Sequence, residues 1–154
     1  MLNKLYKFSF GSTSAIITSM GLVVGLGSLN TGKGSILGSL MVIAVADNIS
    51  DSLGIHIYQE SEGNSKDNVS TTVSNFISRF VVSLSFVAIV LLLPTSLIKI
   101  ATVIWGAGLL SVLTYFIAKA KGERVFPEVV YHLVVALIVV GVSQGLGFLI
   151  RVYF

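Results

Sequence analysis

The sequence predicts an all-α membrane protein with five transmembrane helices, its amino terminus cytoplasmic and its carboxyl terminus outside. Three observations carry that prediction. Of 154 residues, 54% are hydrophobic and 11% charged, with a mean hydropathy of +0.92, whereas a soluble domain carries about 25% charged residues. The charges fall between five apolar stretches, each close to the ~20 residues a helix needs to cross about 30 Å of hydrocarbon. The basic residues between those stretches are unevenly shared between the two sides. With no cysteine, disulfide frameworks, thiolate metal sites, iron–sulfur clusters and cysteine nucleophiles are excluded. A net charge of +3 without a basic run offers no nucleic-acid footprint.

The spans follow in order. Lys7 and Lys33 bracket an uncharged stretch that gives the first span, near 8–29. Its length and the lack of a small-residue cleavage site argue against a removable signal peptide. The second, near 36–58, is interrupted by Asp47, Asp51 and His56. The third, near 76–94, is charge-free from residue 80 onward and has Pro94 at its end. The fourth, near 99–118, lies between Lys99 and Lys119, and the fifth, near 128–150, follows Pro127, a favourable first-turn residue. Together they make residues 1–154 a single transmembrane domain. The longest connection, 59–75, is polar and carries Glu60, Glu62 and Asp67; nothing outside the bilayer is large enough to fold alone.

Orientation follows from the loops. With the amino terminus inside, the cytoplasmic segments hold Lys4, Lys7, Lys66, Arg79, Lys119, Lys121 and Arg124, against Lys33, Lys99 and Arg151 on the other side. An excess of Lys and Arg beside the cytoplasmic ends is the usual bias.

The second span carries the chemistry. Asp47 sits near its centre, and Asp51, four residues on, shares its helical face about 6 Å nearer the cytoplasm. An aspartate at a helix centre costs about 2.5–3.5 kcal/mol to insert, so two on one face need a neutralising cation, protons or a basic partner. No Lys or Arg falls in the central part of any predicted span, Arg79 standing at the cytoplasmic edge of the third. That elimination points to an ion pathway or proton relay. A carboxylic acid kept protonated for helix packing is the plainer reading of the same residues.

Ser14 and Thr18 of the first span fall at the depths of Asp51 and Asp47 when residues are counted inward from the cytoplasmic ends. Hydroxyl and carboxylate oxygens on neighbouring helices can replace part of a cation's hydration shell; taken singly, such hydroxyls more often bond within or between helices. His56, with Gln59 and Glu60 within a turn, stands near the cytoplasmic end of the second span. Histidine ligates transition metals or accepts protons, though an interfacial histidine without such a role is commoner. Glu60 and Glu62 could recruit cations to the entrance, or simply solvate the loop. His132 and Gln144 read as packing groups, and Met20 and Met41 as core filler. Gly21/Gly25, Gly34/Gly38 and Gly141/Gly145 repeat the small-xxx-small spacing that lets helix backbones approach.

Two segments bear a family resemblance. Residues 10–25 (FGSTSAIITSMGLVVG) resemble the first span of the vacuolar iron transporter family, where a Tyr-Gly pair, two further residues and Asp-Gly lead into an apolar run. Residues 46–62 (ADNISDSLGIHIYQESE) resemble its second span, with the pattern Ile-Ser-Met-x-Leu-Gly, a tyrosine-containing turn and Ser-Glu. Five spans with the amino terminus inside also agree. The resemblance implies a homodimer that exports a divalent metal such as iron or manganese from the cytoplasm, in exchange for protons. This chain departs from the pattern where it has Ser14-Ala15 for Asp-Gly and Asp51 for the methionine. It also lacks the glutamate-rich cytoplasmic domain of plant members. The resulting all-oxygen site suits Mn²⁺, Mg²⁺ or Ca²⁺, with Fe²⁺ still admitted.

The expectation is therefore an integral multi-pass protein of a cell, inner or organelle membrane that binds no resident cofactor and takes a divalent cation as its substrate. Asp47, Asp51, Ser14, Thr18, His56 and Glu60 are the candidate metal ligands. The alternative is a non-transporting membrane subunit or scaffold whose acids meet a partner chain's basic residue. An enzyme is the weakest reading, because two acids one turn apart on one helix lack the opposed geometry of hydrolysis or group transfer.

Overall fold

A computed structural model describes the backbone of residues 2–61 and 68–154 and the side chains of 11–61 and 69–154. Glu62, Lys66 and Asp67 lie outside the described residues, as do the side chains of Lys4 and Lys7. The described residues are helical apart from short turns. They form α1 (Leu2–Ser28), α2 (Lys33–Val42), a π-helical turn (Ile43–Asp47), α3 (Asn48–Ser61), α4 (Asn68–Leu92), α5 (Thr95–Lys121) and α6 (Val125–Tyr153). Because Ile43 and Asn48 keep right-handed helical dihedrals, α2, the π turn and α3 form one continuous rod. Five helices are thus long and apolar enough to cross a membrane: Gly11–Ser28, Lys33–Ser61, Val69–Leu92, Thr95–Lys121 and Val125–Tyr153.

The helices run further than the hydropathy that announced them. Uncharged Ser, Thr and Asn residues continue a helix without adding hydropathy. The supposed loop at 59–75 is therefore helical at both described ends, and α4 begins at Asn68 rather than near 76. The second rod has 29 residues, about 44 Å of helix, and Asp47 is its fifteenth residue. Arg79 is the twelfth of the 25 residues of α4. What read as the edge of a span is its middle.

α1 forms the centre of the bundle, packed by α4, α5 and α6 and, in its carboxyl-terminal half, by α2, while α3 rests chiefly on α4. Lipid tails are as apolar as the helices, so association depends on close van der Waals fit. Gly147 of α6 shows the requirement: a Cβ there would strike the carbonyl oxygen of Gly25 and come within 2.9 Å of Ser28 Cβ. Of the small-residue pairs, Gly21 and Gly25 do face a neighbouring helix, meeting Ser143. Gly34, Gly38, Gly141 and Gly145 have open space beside them.

The interior has two tiers. Ile16, Met20, Val23, Ile36, Leu40, Phe86, Val90, Ile98 and Leu110 make an apolar core. Toward the end where α1 begins, Ser12, Asn48, Ser52, Asn75, Ser78 and Arg79 are buried instead. At the opposite end, Lys33 Nζ donates to the carbonyls of Leu91 and Leu93 at 2.8 and 3.1 Å. It caps the α4 carboxyl terminus, where a cation is favoured.

Candidate intramembrane charge site

Arg79 organises the polar tier. Its side chain is 1% exposed, and each arm of the guanidinium meets the second rod. Nε donates to Asn48 Oδ1 at 2.8 Å, Nη2 to Asp47 Oδ2 at 2.6 Å, and Nη1 pairs with Asp51 Oδ2. A planar fork with donors in three directions suits this geometry as a lysine ammonium would not. Both carboxylates keep much of their surface: the side chains of Asp47 and Asp51 are 41% and 39% exposed.

Local structure sets this convergence. The π turn ends at Asp47, and its wider winding changes the angular register of α3 relative to α2. Asn48 Nδ2 donates to Ala44 O at 2.8 Å inside that turn, while its Oδ1 holds Arg79; one fully buried amide secures both the turn and the guanidinium. One turn along the seam, Asn75 Nδ2 donates to Ser52 Oγ at 3.1 Å, and Ser78 Oγ donates to Asn75 O at 2.9 Å. From the other side α1 closes in through Gly11. A Cβ there would land on Asn75 Oδ1 and lie 2.8 Å from Ser78 Oγ and 3.0 Å from Arg79 Cγ.

The argument that the two acids lack a basic partner within the chain is thus overturned. The predicted span began near 76, which put Arg79 at its edge, whereas α4 starts at Asn68, eleven residues before Arg79. The missed signal is the polar stripe of Asn75, Ser78, Arg79 and Ser83, spaced along one side of α4. Two aspartates against one arginine still leave one formal negative charge (−2 + 1 = −1) in the middle of two membrane-length helices.

The other candidates lie apart from the acids. Among the described residues, the ion pairs of Asp47 and Asp51 go to Arg79 and none of their hydrogen bonds goes to Ser14 or Thr18. Thr18 lines a groove of about 480 Å³ between α1 and α6, with Gly21, Ile43 and Ser143 among its walls. On α1 it is Gly11 that lies against Asn75, Ser78 and Arg79. His56 is half-buried in the α3–α4 seam, its Nδ1 3.4 Å from Thr72 Oγ1. Glu60 is exposed one turn further on. His132 bonds within its own helix, Nδ1 lying 2.8 Å from Glu128 O. No three His, Asp or Glu side chains converge among the described residues; the acids that this site brings together are Asp47 and Asp51.

Comparison with protein-family models, curated proteins and solved structures found no match. The chemistry must therefore be read from the site itself. Both ion pairs use Oδ2, and the surplus charge resides on carboxylates whose remaining surface is open. That open face leaves room for a further cationic partner beside the buried guanidinium.

Proposed function

We propose that this protein carries divalent cations across a membrane in exchange for protons. Asp47 and Asp51 are the carrier carboxylates, and Arg79 is their built-in counter-ion. The observation supporting this reading is the Asp47–Arg79–Asp51 network, with its one uncompensated negative charge at the centre of two membrane-length helices. Ionisable groups at that depth usually mark ion pathways or proton relays. Arg79 offsets one of the two negative charges when no cargo is bound, and a dication would compete with it for the same oxygens. All-oxygen donors suit hard ions of the Mn²⁺, Mg²⁺ or Ca²⁺ type, with Fe²⁺ admitted.

The resemblance of the first two spans to vacuolar iron transporters favours a homodimer working outward from the cytoplasm. With Arg79 removed from the loop count, six basic residues (Lys4, Lys7, Lys66, Lys119, Lys121, Arg124) still stand against three (Lys33, Lys99, Arg151). That bias favours a cytoplasmic amino terminus.

The test is Mn²⁺ uptake into liposomes containing the purified chain. The double variant Asp47→Asn/Asp51→Asn should abolish it, and uptake equal to wild type would end the proposal. The open carboxylate faces also support a second reading, a membrane scaffold in which a partner chain's basic side chain covers them. It requires that the purified chain carry no cation and that the same double variant lose a co-purifying partner.

A further inference from the structure

The end of the bundle where α1 finishes carries basic residues and no acid. All seven acidic residues of the chain fall within 47–67 and 123–128, whereas Lys33, Lys99 and Arg151 stand at this end. A pocket of about 280 Å³ opens here between the turn after α1, the first turn of α2 and the first turn of α5. Ile36 and Ile98, each 1% exposed, give it apolar walls, and exposed Asn30, Thr95, Ser96 and Lys99 give it polar ones. Local structure gathers those polar groups. Asn30 has a φ of 58°, in the left-handed region that asparagine tolerates, and Thr31 Oγ1 donates to Leu26 O at 2.9 Å, which holds the turn. The Lys99 stem lies across Gly27: a Cβ on that glycine would come within 2.9 Å of Lys99 Cγ and Cδ. The bare backbone at Gly27 thus lets the lysine lie against α1 beside the pocket.

We propose that this pocket binds a phosphate group at the membrane surface, with Lys99 as its cationic anchor. The site stands apart from the Asp47–Arg79–Asp51 network and does not depend on what those acids carry. Lys33, the other lysine of this end, is occupied by the carbonyls of Leu91 and Leu93. Lys99 has no such partner: among the described residues, ion pairs form at Asp47, Asp51 and Glu123, none of them at this end. A lysine ammonium binds phosphate as a point charge with three donors. The Asn30 amide adds two donors, and the Thr95 and Ser96 hydroxyls one each. So many donors with no carboxylate beside them disfavour a metal cation and suit an anion of three or four oxygens better than a two-oxygen carboxylate. The volume falls below the roughly 300–1,000 Å³ of pockets for drug-sized ligands, so the guest is a small phosphate or the head of a lipid. Both sources reach this level, because α1 ends at Ser28 and α5 begins at Thr95, at the ends of membrane-length helices.

The experiment uses the full chain, purified in detergent and stripped of lipid, with two probes. Inorganic phosphate is followed by the shift in thermal unfolding at constant ionic strength, and phosphatidylglycerol by native mass spectrometry, as lipid retained per chain. Wild type should bind at least one probe saturably, and Lys99→Gln should weaken that binding roughly tenfold or more. Thr95→Val/Ser96→Ala keeps the charge and removes two donors, and should weaken it several-fold. Arg151→Gln removes the same charge at the same end but outside the pocket, and should bind as wild type does. All four positions are exposed, so the variants keep the fold. Binding of phosphatidylglycerol alone assigns the pocket to a lipid headgroup, binding of inorganic phosphate alone to a dissolved phosphate, and binding of both to the group they share. No saturable binding of either probe, binding that survives Lys99→Gln, or equal losses in Lys99→Gln and Arg151→Gln would overturn the proposal.

Discussion

Arg79 and Asp47 form an ion pair of 2.6 Å in which the guanidinium is 1% exposed and the carboxylate 41%. The cation is sealed inside the bundle, and the anion stands at its surface. The asymmetry assigns different work to the two groups: the arginine is held, and the acids, Asp51 included, are reachable.

Replacing Arg79 alone should cost more than removing the whole charge set. Arg79→Met strands two carboxylates, and breaking such a pair costs about 3–5 kcal/mol when both partners are fully buried. Because these acids are about 40% exposed, the expected loss is nearer ~2 kcal/mol. The triple variant Arg79→Met/Asp47→Asn/Asp51→Asn should recover most of it in thermal unfolding in detergent. A triple variant less stable than Arg79→Met would show that the charges are not coupled.

Asn48 joins the π turn to the guanidinium. Asn48→Ala removes both hydrogen bonds and leaves a buried charged donor short of one acceptor, so unfolding should report a loss of about 2–3 kcal/mol. Hydrogen exchange at residues 44–48 should accelerate as the turn loosens. Asn48→Ala with wild-type stability and exchange would contradict this role.

Gly11 sets how closely α1 approaches the seam. Its missing Cβ occupies the direction of Asn75 Oδ1, so Gly11→Val must push α1 and α4 apart, at about 1–3 kcal/mol. Uptake should fall with stability, because Asn75 and Arg79 move with α4. Gly34→Val, where nothing lies within 4 Å, serves as the control and should be nearly neutral in unfolding.

Much of the fold was legible because hydropathy reports it directly. All five predicted spans coincide with helices long and apolar enough to cross a membrane, and Lys33, Pro94 and Pro127 stand at or near helix ends, where their chemistry suits them. The candidate site was legible in part. Asp47 and Asp51 do share a face and a partner, but that partner was hidden: Asn68 to Asn75 raises no hydropathy, so Arg79 seemed to lie outside the apolar span. The π turn left no mark either, since Ile43–Asp47 reads as ordinary helix until the tertiary contacts of Asn48 are known. Matching Ser14 and Thr18 to the acids by depth assumed helices that start level. Where α1 meets the seam depends instead on close approach at Gly11, against the side chains of Asn75, Ser78 and Arg79, and that contact has no counterpart in hydropathy.

The central claim is that one surplus negative charge at the Asp47–Arg79–Asp51 network carries the cation, and neutralising a single acid tests it most directly. Asp51→Asn leaves Asp47 and Arg79 as a balanced pair, so Mn²⁺ uptake by liposomes containing this variant should vanish while the purified protein stays folded. Asp51→Asn liposomes that fill with Mn²⁺ at the wild-type rate would contradict the account.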